Sequence, residues 1–126
     1  MDTEEIVATY GAAWNETDDA KRTALLERSW ADEGVYNDPT ATVDGRAALV
    51  AHIGGFQAMM PGHTIDQASA VDTHGAVFRF AWVMRKGGEI LHRECRFGAI
   101  GRGPIRLASV EVALQLISRA AGASAP

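Results

Sequence analysis

Apolar residues in the first third of the chain recur at helical spacing. Residues 3–16 carry one apolar stripe, formed by Ile6, Val7, Tyr10 and Trp14. Asp2 and Glu5 have the spacing of a capping box at the start of this helix. The pattern therefore predicts a first helix with one face against the core.

Two further helices follow from the same periodicity. The second is predicted to be capped by Thr17 or Asp18 and to end before Gly34, with apolar positions at Leu25, Leu26 and Trp30. The third covers residues 46–60 and has an apolar face made of Leu49, His52, Ile53, Phe56 and Met60.

The rest of the chain alternates between apolar and polar residues, which predicts strands. The strand segments are residues 35–43, 64–73, 76–85, 90–100 and 105–114. The clearest alternation puts four large side chains on one face: Phe78, Phe80, Trp82 and Met84. The first strand is interrupted at Asp38 and Pro39, and residues 112–120 fit either a strand or a terminal helix. This order predicts an α+β domain with three helices on an antiparallel sheet.

Length and charge narrow the possible functions. The 126 residues fit one domain, which we assign to residues 1–120, followed by a frayed tail at residues 121–126. The net charge of -4 argues against a nucleic-acid partner. Basic residues concentrate after position 78, where they could steer an anionic ligand or simply lie on solvated strand faces.

The sequence contains no signal for a membrane, a metal or a cofactor. No apolar run approaches ~20 residues, so we expect no membrane-spanning helix. Cys95 is the only cysteine, which rules out an intrachain disulfide and suits the cytoplasm. The four histidines lack metal-ligand spacing, and no phosphate or dinucleotide loop is present.

Two passages resemble the nuclear transport factor 2-like superfamily, which includes ketosteroid isomerases and SnoaL-type polyketide cyclases. They are WADEGVYNDP at residues 30–39 and DGRAAL at residues 44–49. The resemblance covers residues 4–112. It implies a cone-shaped fold, in which three helices and a strongly curved sheet enclose an apolar pocket, and it implies a homodimer. It does not fix the activity, because isomerases, cyclases, hydrolases and non-catalytic proteins share this fold.

An apolar pocket of this kind would bind a small hydrophobic molecule. Its wall is predicted to come from nine side chains: Trp14, Trp30, Tyr36, His52, Phe56, Met60, Phe78, Phe80 and Trp82. The alternative for each of them is that it simply fills the core.

Asp38 and Tyr10 are the first candidates for catalysis. Asp38 precedes a proline at the end of a strand, so its carboxylate could enter the pocket, where burial would raise its pKa toward that of a general base. It could equally be an aspartate that starts a turn. The resemblance places the catalytic base of the isomerases at Asp38 and their oxyanion-binding tyrosine at Tyr10, which could also be a core tyrosine.

The late strand departs from the family pattern. The acid of the isomerases aligns with Arg93, or with Glu94 if the register slips by one, and the acid of the SnoaL-type relatives aligns with Arg96. An arginine can hold an oxyanion but cannot act as an acid in this range. Alternation puts Arg93 on the more apolar face of this strand, so it is predicted to face the pocket, while His92 and Glu94 are predicted to pair on the outer face or at a dimer interface.

Three functions remain open at this stage. The first is proton transfer on a carbonyl compound by Asp38, Tyr10 and Arg93. The second is a non-catalytic ligand-binding or dimerisation module, which the missing acid favours. Epoxide hydrolysis ranks last, because residues 90–114 contain no aspartate.

Overall fold

A computed structural model of the chain describes residues 2–101 and 106–113. Its helices are α1 (Thr3–Asn15), α2 (Asp19–Ser29) and α3 (Arg46–Met59). Its strands are β1 (Trp30–Asp38), β2 (Ala41–Asp44), β3 (His63–Gln67), β4 (Asp72–His74), β5 (Val77–Lys86), β6 (Glu89–Ile100) and β7 (Leu107–Ala113). The predicted α+β class and the three helices are confirmed. The predicted turn at residues 102–104, residues 114–120 and the tail at 121–126 lie outside the described residues.

The strands form one sheet in the order β2-β1-β7-β6-β5-β3, with β4 also paired to β5. All pairs are antiparallel except β1 with β7, so the sheet is mixed and not purely antiparallel as predicted. This difference arises because β1 and β7 are far apart in the sequence, and a long connection allows either direction. Residues 112–113 belong to β7, so the strand alternative holds for that part of the segment.

Side-chain capping fixes the starts of the first two helices. Asp2 and Glu5 form the predicted capping box on α1, and the Asp18 carboxylate accepts the Lys21 N–H at the start of α2. The apolar stripe of α1 is buried against the sheet and the other helices. In the described part of the chain, no helix has the length and apolarity to cross a membrane.

Trp30 begins β1 instead of ending α2, which corrects the predicted boundary. Its backbone is extended, with φ -126° and ψ 129°, and its side chain is fully buried. The indole lies against Gly34, where an added Cβ would approach Nε1 to 2.6 Å. Gly34 therefore does not end a helix as predicted; it allows the close approach of an indole inside a strand.

The start of α3 is tied to the start of β1. Gly45 has a φ of 94°, a conformation that favours glycine, and it accepts the Leu49 N–H. The next residue, Arg46, donates Nε and Nη2 to the Trp30 carbonyl at 3.0 and 2.7 Å. The DGRAAL passage is thus explained by a structural role, which fixes α3 over the inner face of the sheet.

We expect Arg46→Lys to destabilise the protein by about 1–2 kcal/mol, because an ammonium group cannot reproduce the paired hydrogen bonds to the Trp30 carbonyl. Urea unfolding measures this change. Arg79→Lys is the matched control, since the ion pair of Arg79 with Asp72 is exposed. Equal stability of the two variants would contradict the role given to Arg46.

Candidate active site

A cavity of about 230 Å³ opens between the helices and the inner face of the sheet. Four of its lining side chains are aromatic and two are aliphatic, while the other four are ionisable. The lining comprises Trp14, Tyr36, Phe56, Trp82, Ile65, Met84, Asp38, His92, Glu94 and Arg96. A largely apolar wall with a few polar groups is the composition typical of a small-molecule site.

Four of the nine predicted pocket residues line this cavity: Trp14, Tyr36, Phe56 and Trp82. The other five do not. Trp30, Phe78 and Phe80 are core residues, with Trp30 stacked on Tyr10 and the two phenylalanines stacked on each other. Met60 lines a separate pocket. The centroid of the His52 ring lies 5.3 Å from that of Tyr36. Trp30, Phe78 and Phe80 therefore fill the core, which was the alternative to a place in the pocket wall.

The two oxygens of the Asp38 carboxylate have different partners. Oδ1 accepts hydrogen bonds from the Thr40 N–H, the Thr40 hydroxyl and the Ala41 N–H, each at 2.8 Å. These are the bonds expected of an aspartate that starts a turn. Oδ2 accepts the Tyr36 hydroxyl at 3.0 Å and lies 3.8 Å from Nε2 of His52. Asp38 thus closes a turn with one oxygen and meets cavity-lining Tyr36 with the other.

The pKa of Asp38 moves in the opposite direction to the one predicted. Burial by itself would raise it, but the hydrogen bonds from Thr40, Tyr36 and Ala41 stabilise the charged form and lower the pKa below its ordinary value. The prediction was wrong because it considered desolvation alone. The carboxylate is therefore ionised throughout the neutral and mildly acidic range.

Arg96 is the central polar group of the site. Its guanidinium is buried and lies over three rings, with Cζ 3.9 Å from the centroid of Trp82, 4.8 Å from Trp14 and 5.5 Å from Tyr36. Burial by itself would lower its pKa, but Tyr10 and Glu94 raise it, so the group stays protonated. A permanent cation thus lies in the wall of an aromatic cavity.

Tyr10 supports this cation and does not itself line the cavity. Its hydroxyl accepts a hydrogen bond from Nη1 of Arg96 at 2.8 Å, deep in the core. Burial raises the pKa of Tyr10 more than the Arg96 charge lowers it, and burial also raises the pKa of Tyr36. Both phenols are therefore neutral, and Tyr10 positions Arg96.

Glu94 and His92 also lie on the inner face, which corrects their predicted outer position. Oε1 of Glu94 binds Nη2 and Nε of Arg96 at 2.6 and 2.9 Å. Oε2 lies 3.2 Å from Nε2 of His92. The expected pairing of His92 with Glu94 is present, but it occurs inside the cavity.

Arg93 lies on the opposite, exposed face of β6 and does not reach the cavity. The reason is a one-residue register shift next to the hairpin. Lys86 pairs with Glu89 and Arg85 with Ile90, but after the shift Met84 pairs with His92 and Trp82 with Glu94. Without the shift, Trp82 would pair with Arg93. The prediction was wrong because it assigned the more apolar face of the strand to the pocket.

Sequence reasoning therefore missed Arg96, Glu94 and His92 as cavity residues. The sequence does show the Gly87-Gly88 loop and the alternation of β5. Both patterns, however, predict a β5–β6 register without the one-residue shift. Among the described residues, no group of three His, Cys, Asp or Glu side chains could hold a metal ion.

Solved structures of other proteins share this architecture. A protein of the SnoaL-like family from Agrobacterium tumefaciens str. C58, named as a candidate isomerase, is 29% identical to this chain. The match has a TM-score of 0.81 and covers 87% of this chain and 94% of that protein. An NTF2-like protein with a cystatin-like fold from Novosphingobium aromaticivorans is 28% identical, with a TM-score of 0.72 and coverage of 95% and 84%.

A candidate polyketide cyclase from Sinorhizobium meliloti matches with a TM-score of 0.66, over 86% of this chain and 93% of that protein. At 18% identity it supports the fold alone. No family model and no curated protein sequence matches the chain. The helix order, the sheet and the two structures above one-quarter identity agree with the resemblance of residues 30–39 and 44–49. The chain is a member of the nuclear transport factor 2-like superfamily.

Proposed function

We propose that the cavity binds a small, largely apolar carbonyl compound and catalyses a proton shift on it. The observation that carries the proposal is one cavity lined by both an ionised carboxylate, Asp38, and a buried cation, Arg96. A base and an oxyanion-stabilising group in one largely apolar site are the two requirements of enolisation. Arg96 takes the role that was predicted for Arg93.

The reaction needs only residues of this chain. Oδ2 of Asp38 accepts a proton from the carbon next to the carbonyl group, and the electron pair of that C–H bond forms an enolate. Arg96 has five N–H bonds, of which the Nε–H donates to Glu94 and one Nη1–H donates to Tyr10, while Nη2 lies 2.6 Å from Oε1 of Glu94. A remaining N–H donates to the enolate oxygen, and the proton then returns from Asp38 to a different carbon, which completes an isomerisation.

The size of the cavity limits the substrate. Its volume of about 230 Å³ is below the ~300–1,000 Å³ usual for sites that hold drug-sized ligands. We therefore propose a substrate with one or two rings in preference to a four-ring steroid or polyketide. The rings of Trp14, Trp82 and Phe56 provide flat surfaces against which such a ring system can pack.

A second function, binding without catalysis, is supported by the turn role of Asp38. A carboxylate that accepts three hydrogen bonds at one oxygen, with a lowered pKa, is a weaker base than one isolated in an apolar pocket. In that case the cavity would carry a ligand unchanged, and Asp38 would only shape the β1–β2 turn.

Asp38→Asn distinguishes the two functions. The amide oxygen can still accept the hydrogen bonds of the turn, but the side chain can no longer take up a proton. We expect the variant to fold normally and to lose at least ~100-fold in rate. The rate is measured by proton NMR as the exchange of α-protons of small cyclic ketones with deuterated solvent.

Asp44→Asn is the matched control, because Asp44 is exposed on β2 and does not line the cavity. It should exchange at the wild-type rate. If Asp38→Asn also keeps the wild-type rate, proton transfer by Asp38 is refuted and the binding function remains.

The lowered pKa of Asp38 predicts that the exchange rate does not fall in mildly acidic solution. The active form is the carboxylate, which persists as the pH falls until the pH passes below the ordinary aspartate value of 3.8. The exchange rate should therefore stay level between about pH 7 and pH 5. A rate that falls steadily across this range, with circular dichroism showing an intact fold, would contradict Asp38 as the base.

We further propose that the protein is a cytoplasmic homodimer joined through the outer sheet face. Val77 and Leu91 are 55% and 46% exposed there, and exposed apolar side chains favour a contact. Val83, which the sequence also placed on an exposed face, is instead buried between its strand neighbours Asp66 and Arg93.

Light scattering coupled to size exclusion tests this proposal. At micromolar concentration the mass should be twice the 13.5 kDa of one chain. A monomer mass across a tenfold dilution series would contradict it.

A further inference from the structure

We propose that Glu94 determines specificity by making the cavity select neutral ligands over anionic ones. The inference depends on the ligand-binding part of the proposed function but not on catalysis. It follows from the way in which the charges of the cavity are paired.

Arg96 without Glu94 would make this cavity an anion receptor. Its guanidinium is buried, it lies within a cavity of four aromatic side chains, and among the described residues only its Nε–H and one Nη1–H donate hydrogen bonds, to Glu94 and Tyr10. A desolvated guanidinium with free donors binds carboxylates strongly and in a defined geometry. A small aromatic carboxylate would then be the preferred ligand.

Glu94 cancels that attraction. Its Oε1 accepts the Nε–H of the guanidinium and lies 2.6 Å from Nη2, and its side chain is only 7% exposed, so solvent screens the pair little. Asp38 adds a second negative charge to the same lining. With His92 neutral, an anionic ligand therefore meets two carboxylates and one guanidinium, whereas a neutral carbonyl oxygen can still accept a free N–H of Arg96.

The Glu94 carboxylate cannot easily turn away to admit an anion. Oε1 is bound to Arg96 and Oε2 lies beside His92, so both oxygens have a partner. The competing explanation is that Glu94 merely neutralises a buried cation for the sake of stability. That explanation predicts an effect of Glu94 on unfolding but none on the charge preference of the ligand site.

The test compares benzamide with benzoate, which have the same shape but differ in charge. Trp14 and Trp82 line the cavity, so quenching of tryptophan fluorescence reports binding, and calorimetry confirms it. At about pH 8, where histidine side chains are mostly neutral, wild-type protein should bind benzamide at least ~10-fold more tightly than benzoate. Glu94→Gln should raise the benzoate affinity by ~10-fold or more and change that of benzamide by less than ~3-fold.

Three variants serve as controls. Glu89→Gln makes the same change at an exposed position on β6 and should leave both affinities unchanged. Glu94→Asp keeps the charge and should keep the preference for benzamide. The double variant Glu94→Gln with Arg96→Gln removes the cation as well, so the gain in benzoate binding should disappear.

The outcomes separate the two proposals. A folded Glu94→Gln variant with the wild-type ratio of affinities overturns the role of Glu94, and so does wild-type protein that prefers benzoate, whether or not the variant folds. Wild-type protein that binds neither compound overturns the ligand cavity itself, and this inference with it.

Discussion

The structure depends on a buried guanidinium, that of Arg96. A cation removed from water is tolerated only when opposite charge and hydrogen-bond acceptors surround it. Glu94 supplies the charge, Tyr10 the further acceptor, and the faces of Trp14, Tyr36 and Trp82 supply the remaining contacts. These partners come from α1, β1, β5 and β6, so the satisfaction of one cation ties the helical layer to the sheet.

The same constraint shapes the cavity. The rings that contact the guanidinium also form the cavity wall. Tyr10 does not line the cavity, and its hydroxyl is hydrogen-bonded to Arg96. An acidic group is present on the late strand after all, but Glu94 is fixed in an ion pair. The remaining acid–base groups at the cavity are Asp38 and His92.

Asp38 shows how one side chain can serve two purposes. The hydrogen bonds from Thr40 and Ala41 hold Oδ1 rigidly, and this rigidity fixes the position of Oδ2 beside Tyr36. The hydrogen bonds that orient the carboxylate also lower its pKa, so Asp38 is a weaker base. A well-oriented weak base can still work when a cation stabilises the product of the proton transfer, which is the role proposed for Arg96.

The sequence by itself determined the helices, the broken strand at Asp38 and the inward face of β5, because periodicity and caps are local properties. Four of the side chains that it assigned to the pocket wall line the cavity. It could not determine the start of β1, since Trp30 continues the helical spacing of α2 while its indole needs Gly34 nearby. Nor could it determine which face of β6 meets the cavity. One extra residue beside the hairpin puts Glu94 opposite Trp82, where an uninterrupted register would put Arg93, and Arg96 lies on the same face as Glu94. Such a shift is decided by packing across the sheet and not by the alternation within a strand.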